Sequence, residues 1–76
     1  MSRDAQTLYE MFLDKYRETG ERYVSICIPR SLKEHIGEYR NELEREGLIA
    51  KANIYGQQYI SCVLTDDNLC IVHTKE

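Results

Sequence analysis

Leu8, Phe12 and Tyr16 recur at four-residue steps near the start of the chain, with Ala5, Met11 and Leu13 widening the apolar stripe. This spacing gathers them on one side of a helix and predicts one over residues 4–19. Ser2 or Asp4 can cap its start, and Gly20 is a natural stop. The period then shortens to two. Val24, Ile26 and Ile28 alternate with Tyr23, Ser25 and Cys27 ahead of Pro29, which predicts a strand. A second helical pattern follows, with Leu32, Ile36, Tyr39 and Leu43 at steps of four, three and four. The run Ser31-Leu32-Lys33-Glu34 fits a capping box at its start, and Gly47 closes it. A single helix over residues 32–46 is expected, with Lys33, Gly37, Arg40, Asn41 and Glu44 on its polar face. Glu34, Glu38 and Glu42 fall at four-residue steps along one flank, where like charges cost a helix a little.

From Leu48 the period returns to two. Leu48, Ala50, Ala52 and Ile54 alternate with Ile49, Lys51 and Asn53, and Ile60, Cys62 and Leu64 alternate with Tyr59, Ser61 and Val63. Gly56-Gln57 between them suits a two-residue type II′ loop, which would set Ile49 opposite Leu64 and Ile54 opposite Tyr59. The turn-forming run Thr65-Asp66-Asp67-Asn68 leads into a third short strand, residues 69–73. The expected fold is a small α+β domain, order α-β-α-β-β-β, ending in an antiparallel hairpin or meander. With no linker and no internal repeat, residues 1–76 form one domain.

Composition narrows the function. The chain is 42% hydrophobic and 30% charged, as in a globular domain, and no apolar run approaches the roughly 20 residues of a membrane span. Its first residues, MSRDAQTLYEMF, hold no basic stretch followed by a long apolar core, so a cytoplasmic location is the expectation. Cys27, Cys62 and Cys70 form no CxxC pair and lie in alternating apolar segments, which predicts buried free thiols and no metal site. His35 and His73 lie far apart. No cofactor is expected. Ser61, Cys62 and His73 do not assemble a nucleophile with its base, because neighbouring strand residues point to opposite faces. The chain is therefore expected not to be an enzyme. Net charge is −3, spread evenly, with no basic block of the kind that nucleic-acid binders usually carry, which counts against DNA binding.

The segment LEREGLI, followed by a hairpin that ends in VLT, resembles the end of the winged helix-turn-helix superfamily. There a recognition helix ends at a Gly-Leu-Ile junction and the hairpin forms the wing. An initial helix followed by a short strand also suits the pattern. The resemblance implies a DNA-binding module of the transcriptional-regulator kind, contacting duplex DNA through the helix at 32–46 and the hairpin at 48–65. On that reading Lys33, Arg40 and Asn41 touch bases or phosphates, Lys51, Gln57 and Gln58 contribute from the wing, and Arg30 adds a phosphate contact. The pattern also requires a short helix before the recognition helix. Only residues 20–28 are available for it, and they read as strand.

A second reading is an acidic protein-interaction module, a small inhibitor or adaptor that binds no nucleic acid. It rests on Glu34, Glu38 and Glu42 and on the six tyrosines, of which Tyr55 and Tyr59 flank the hairpin tip. Under either reading a homodimer is an expectation, since residues 69–73 would form an unprotected sheet edge.

Overall fold

The computed structural model describes residues 1–66. Six elements follow in order: α1 (Arg3–Thr19), β1 (Tyr23–Cys27), α2 (Arg30–Lys33), α3 (Ile36–Arg45), β2 (Ile49–Tyr55) and β3 (Tyr59–Leu64). The third strand expected at residues 69–73 lies outside the described residues.

β3 is central, and both β1 and β2 pair with it antiparallel to give the sheet order β1-β3-β2. Ile26 opposite Ile60, Val24 opposite Cys62 and Ile49 opposite Leu64 turn one face of the sheet toward the helices. Ala5, Leu8, Phe12 and Tyr16 of α1 and Ile36, Tyr39 and Leu43 of α3 complete a single core. The result is an α+β domain with its helices packed on one side of a three-stranded sheet.

α1 forms as its spacing predicts. The Ser2 hydroxyl accepts from the Ala5 N–H at 3.2 Å, and Gly20, at φ 75°, closes the far end on the Tyr16 carbonyl. The Glu42 carboxylate of α3 then accepts from both the Ser2 N–H and the Ser2 hydroxyl, at 2.8 and 2.9 Å. In the other direction, the Tyr39 hydroxyl donates to Asp4 at 2.8 Å. These bonds stitch the first turn of α1 to the middle of α3.

The single helix expected over residues 32–46 is instead two. α2 spans four residues, the chain turns at Glu34 and His35, and α3 restarts at Ile36. The Ser31 capping box does not form. Pro29 is the N-cap and Ser31 sits inside α2, while His35, at φ −120° and ψ 28°, leaves helical geometry. Both Leu32 and Ile36 stay buried across the break. α3 ends as expected. Leu48 N–H bonds to the Leu43 carbonyl and Gly47 N–H to the Glu44 carbonyl, a Schellman pair that uses the positive φ of Gly47.

The hairpin differs from its expected register. Gly56 and Gln57 both have positive φ, the type I′ pattern rather than II′, and Gln58 N–H closes the turn on the Tyr55 carbonyl. Tyr55 pairs with Tyr59 and Ile54 with Ile60, so Ile54 does not face Tyr59. The expected pairing of Ile49 with Leu64 is found, because a bulge absorbs the difference. Lys51 and Ala52 together oppose Cys62, and Lys51 takes φ 56°. The buried phase of β2 shifts accordingly, from Ile49 to Ala52.

Candidate nucleic-acid and protein interfaces

Ile36, Tyr39 and Leu43 turn one side of α3 into the core. The opposite side, at about 100° per residue, is centred on Gly37, Asn41 and Arg45, with Glu38 and Glu44 flanking it. Asn41 and Arg45 are exposed there. Arg40, expected on the polar face, is half-buried. Its Nε is enclosed with no acceptor among the described residues, and its Nη2 donates to the Asn41 side-chain oxygen at 3.0 Å. This bond orients Asn41 and leaves the guanidinium charge in place, so Arg40 is a half-buried cation beside the exposed side of α3. A Cβ built on Gly37 would meet nothing within 4 Å, so no neighbour among the described residues requires glycine there.

Arg30 and Lys33 are both exposed on α2. The wing tip lies beside them in the chain path. Ile28 N–H donates to the Gln58 carbonyl at 2.8 Å, which ties exposed Gln57 and Gln58 to the entry of α2. A four-residue helix has little dipole, so Arg30 acts through its own charge alone. Lys51 is exposed at the bulge of β2. Arg45 was absent from the sequence-derived set, although its position four residues after Asn41 was the available signal.

The acidic row breaks up. Glu34 sits in the turn between the helices, Glu38 lies 3.1 Å from His35 Nδ1, and Glu42 is committed to Ser2. The Ser2 N–H, and after it the Ser2 hydroxyl, hold the Glu42 carboxyl below its ordinary range.

The outer face of the sheet, away from the helices, gathers a second set of residues. Cys27, Tyr59 and Tyr55 lie in one cross-strand row, and Ser25, Ser61 and Asn53 form the next. Tyr23, Val63 and Ala50 complete it. Tyr23, Tyr55 and Tyr59 are 59, 53 and 50% exposed. None of these nine positions is charged, in a chain that is 30% charged. Cys27 therefore departs from the expected burial and is exposed, whereas Cys62 is buried as expected. Cys70 lies outside the described residues. Tyr23 and Cys27 were legible as candidates, because they occupy the polar phase of the β1 alternation.

An open groove of about 440 Å³ runs along β1 beside this face, with Met11, Lys15 and Tyr59 among its walls. Its charges are mutually engaged: Lys15 pairs with Glu18, and Asp14 pairs with Arg17. Burial, above all, pushes the Cys62 thiol up to about 12, the reverse of an activated nucleophile, and His73 lies outside the described residues. Among the described residues no group of three or more His, Cys, Asp or Glu side chains is placed to hold a metal ion. No helix among them is long and apolar enough to cross a membrane. No family model matches the chain, and neither curated proteins nor solved structures include a match.

Proposed function

We propose that the domain is a small winged-helix-like DNA-binding module in which α3 reads the duplex and the β2–β3 hairpin serves as the wing. The observation that carries this reading is the break at Glu34 and His35. It supplies the short helix before α3 that the winged helix-turn-helix pattern needs, and it frees residues 23–27 to be the strand that pairs with β3. Asn41 has the amide chemistry to pair with an adenine edge, and Arg45 can reach a guanine or a phosphate. Gly37, with open space above it, lets the helix backbone approach the groove closely. Arg30, Lys33 and Lys51 supply phosphate contacts.

Charge sets the strength of this binding. Four cations, Arg30, Lys33, Arg45 and Lys51, give a salt slope of about −3.6 for one copy, or roughly 150-fold weaker binding between 50 and 200 mM salt. Glu38 and Glu44 beside the reading stripe lower the affinity further. Fluorescence anisotropy on mixed-sequence duplexes tests the reading. Lys33→Glu and Arg45→Ala are expected to weaken binding several-fold, and Asn41→Ala to relax sequence preference. Gly37→Ala is expected to stabilise α3 by up to about 1 kcal/mol while it weakens binding. Absence of any anisotropy change at low salt would sink the proposal.

The uncharged, tyrosine-bearing outer face favours a second reading, protein recognition without nucleic acid. The same titration separates the two, because that reading expects no response to DNA.

A further inference from the structure

We infer that the outer sheet face is the surface through which two copies of this chain associate. The inference does not depend on DNA binding. An antiparallel sheet with one face on the core commonly turns charged and polar side chains to water on the other. Here that face carries Tyr23, Tyr55 and Tyr59, each at least half exposed, around a centre where Val63 is half-buried and Ser61 is buried, its hydroxyl without a partner among the described residues.

Charge selects the occupant. The chain carries 13 acidic and 10 basic side chains, and charge-bearing surface is poor ground for self-contact in a molecule of net −3. The outer face is free of charge, so two copies meet there without opposing like charges. Recognition of a different protein more commonly places a charge on one side for its opposite on the other. A twofold dimer instead requires one patch to complement itself, which a neutral aromatic patch does. Charged groups stand at the rim: Lys51 at the bulge on the β2 edge, and Asp14, Lys15 and Glu18 across the groove on the β1 edge, where Lys15 pairs with Glu18 and Asp14 with Arg17.

Area sets the strength. Three strands about 4.8 Å apart and five residues long at about 3.3 Å each make a face of roughly 14 by 17 Å. Allowing about a factor of two for side-chain relief, a face-to-face pair buries on the order of 1,000 Å² in total, the lower limit for a specific interface. A face at that lower limit suits a weak, concentration-dependent dimer, and a range of roughly 10 to 1,000 µM is the one to search.

Sedimentation velocity on the full chain, under reducing conditions over that concentration range, tests it. The native chain is expected to pass from monomer to dimer. Tyr59→Lys and the less intrusive Ser25→Lys, each with its fold checked by circular dichroism, are expected to weaken association at least tenfold. Glu46→Lys, at the C-cap of α3, makes a larger charge change off the face and is expected to leave association intact. In a Cys70→Ser background, Cys27 alkylation is expected to slow as concentration rises through the midpoint, while buried Cys62 stays unreactive throughout. A chain that remains monomeric at millimolar concentration overturns the inference, even if it captures some other protein. So does a dimer indifferent to both face substitutions, which would place the contact elsewhere, for instance at residues 69–73.

Discussion

At the scale of single residues, two carboxylates hold the helices together and one of them carries a pH signature. The Ser2 N–H donates to Glu42 at 2.8 Å and its hydroxyl donates at 2.9 Å, so the ionised carboxylate is favoured in the folded chain. Its unfolded pKa is about 4.3. A depressed folded value means the contribution is complete above that pH and disappears as pH falls through the folded value. Glu42→Gln is expected to lower the melting temperature at pH 6, with the two curves converging as pH falls through the depressed folded value. Thermal unfolding followed by circular dichroism across that range checks it, and parallel curves would remove Glu42 from the account. Ser2 as the cap was legible in the sequence, because a hydroxyl just before an apolar-periodic run is a local signal. Its second partner was not, because no local pattern links residue 2 to residue 42. The thiols divide in the same way. Alternation in β1 already set Cys27 against Val24 and Ile26, and reading every cysteine as a buried hydrophobe overrode that signal.

At the scale of elements, α1, β1 and the stop at Gly47 were legible, since each depends on contacts within a few residues. The break between α2 and α3 was not. Residues 31–46 keep helical spacing throughout and contain no proline, so local preference favours one helix. The core decides otherwise, because the turn at Glu34 and His35 lets Leu32 stay buried while Ile36, Tyr39 and Leu43 face α1 and the sheet. The bulge was equally hidden, as lysine is an uncommon residue at φ 56°. That conformation costs a side chain about 1 kcal/mol or more, which glycine avoids while losing about 0.5–1 kcal/mol to its greater unfolded freedom. Lys51→Gly is therefore expected to be near neutral or slightly stabilising. Lys51→Val, β-branched at positive φ, is expected to cost about 1–2 kcal/mol more. Urea midpoints at unchanged m-value measure both. If valine proved as stable as glycine, the bulge would not hold Lys51 in the left-handed region.

At the scale of the whole molecule, the two proposed surfaces share the β2–β3 hairpin, wing to one and two strands of the other, and their coupling has a sign that electrostatics alone would reverse. Tyr59→Lys changes the net charge from −3 to −2, since it adds one positive charge to the chain. If one copy bound DNA by itself, that change would leave affinity unaltered or raise it, because phosphate attraction grows with each added cation. If the dimer is the binding species, the same substitution must lower affinity by separating the copies. A dimer that sets both copies on one duplex brings about eight phosphate-directed cations where a monomer brings four, and its salt slope then approaches −7 instead of −3.6. Linkage requires the reverse effect as well, with duplex DNA of sufficient length drawing the chain into dimers by the same factor. Anisotropy titrations of the native chain below its dimer midpoint are thus expected to be sigmoidal. Tyr59→Lys is expected to give a hyperbolic, weaker isotherm with about half the salt slope. A stronger isotherm from Tyr59→Lys would show that DNA binding, if present, belongs to the single copy, and sedimentation would then judge the outer face on its own.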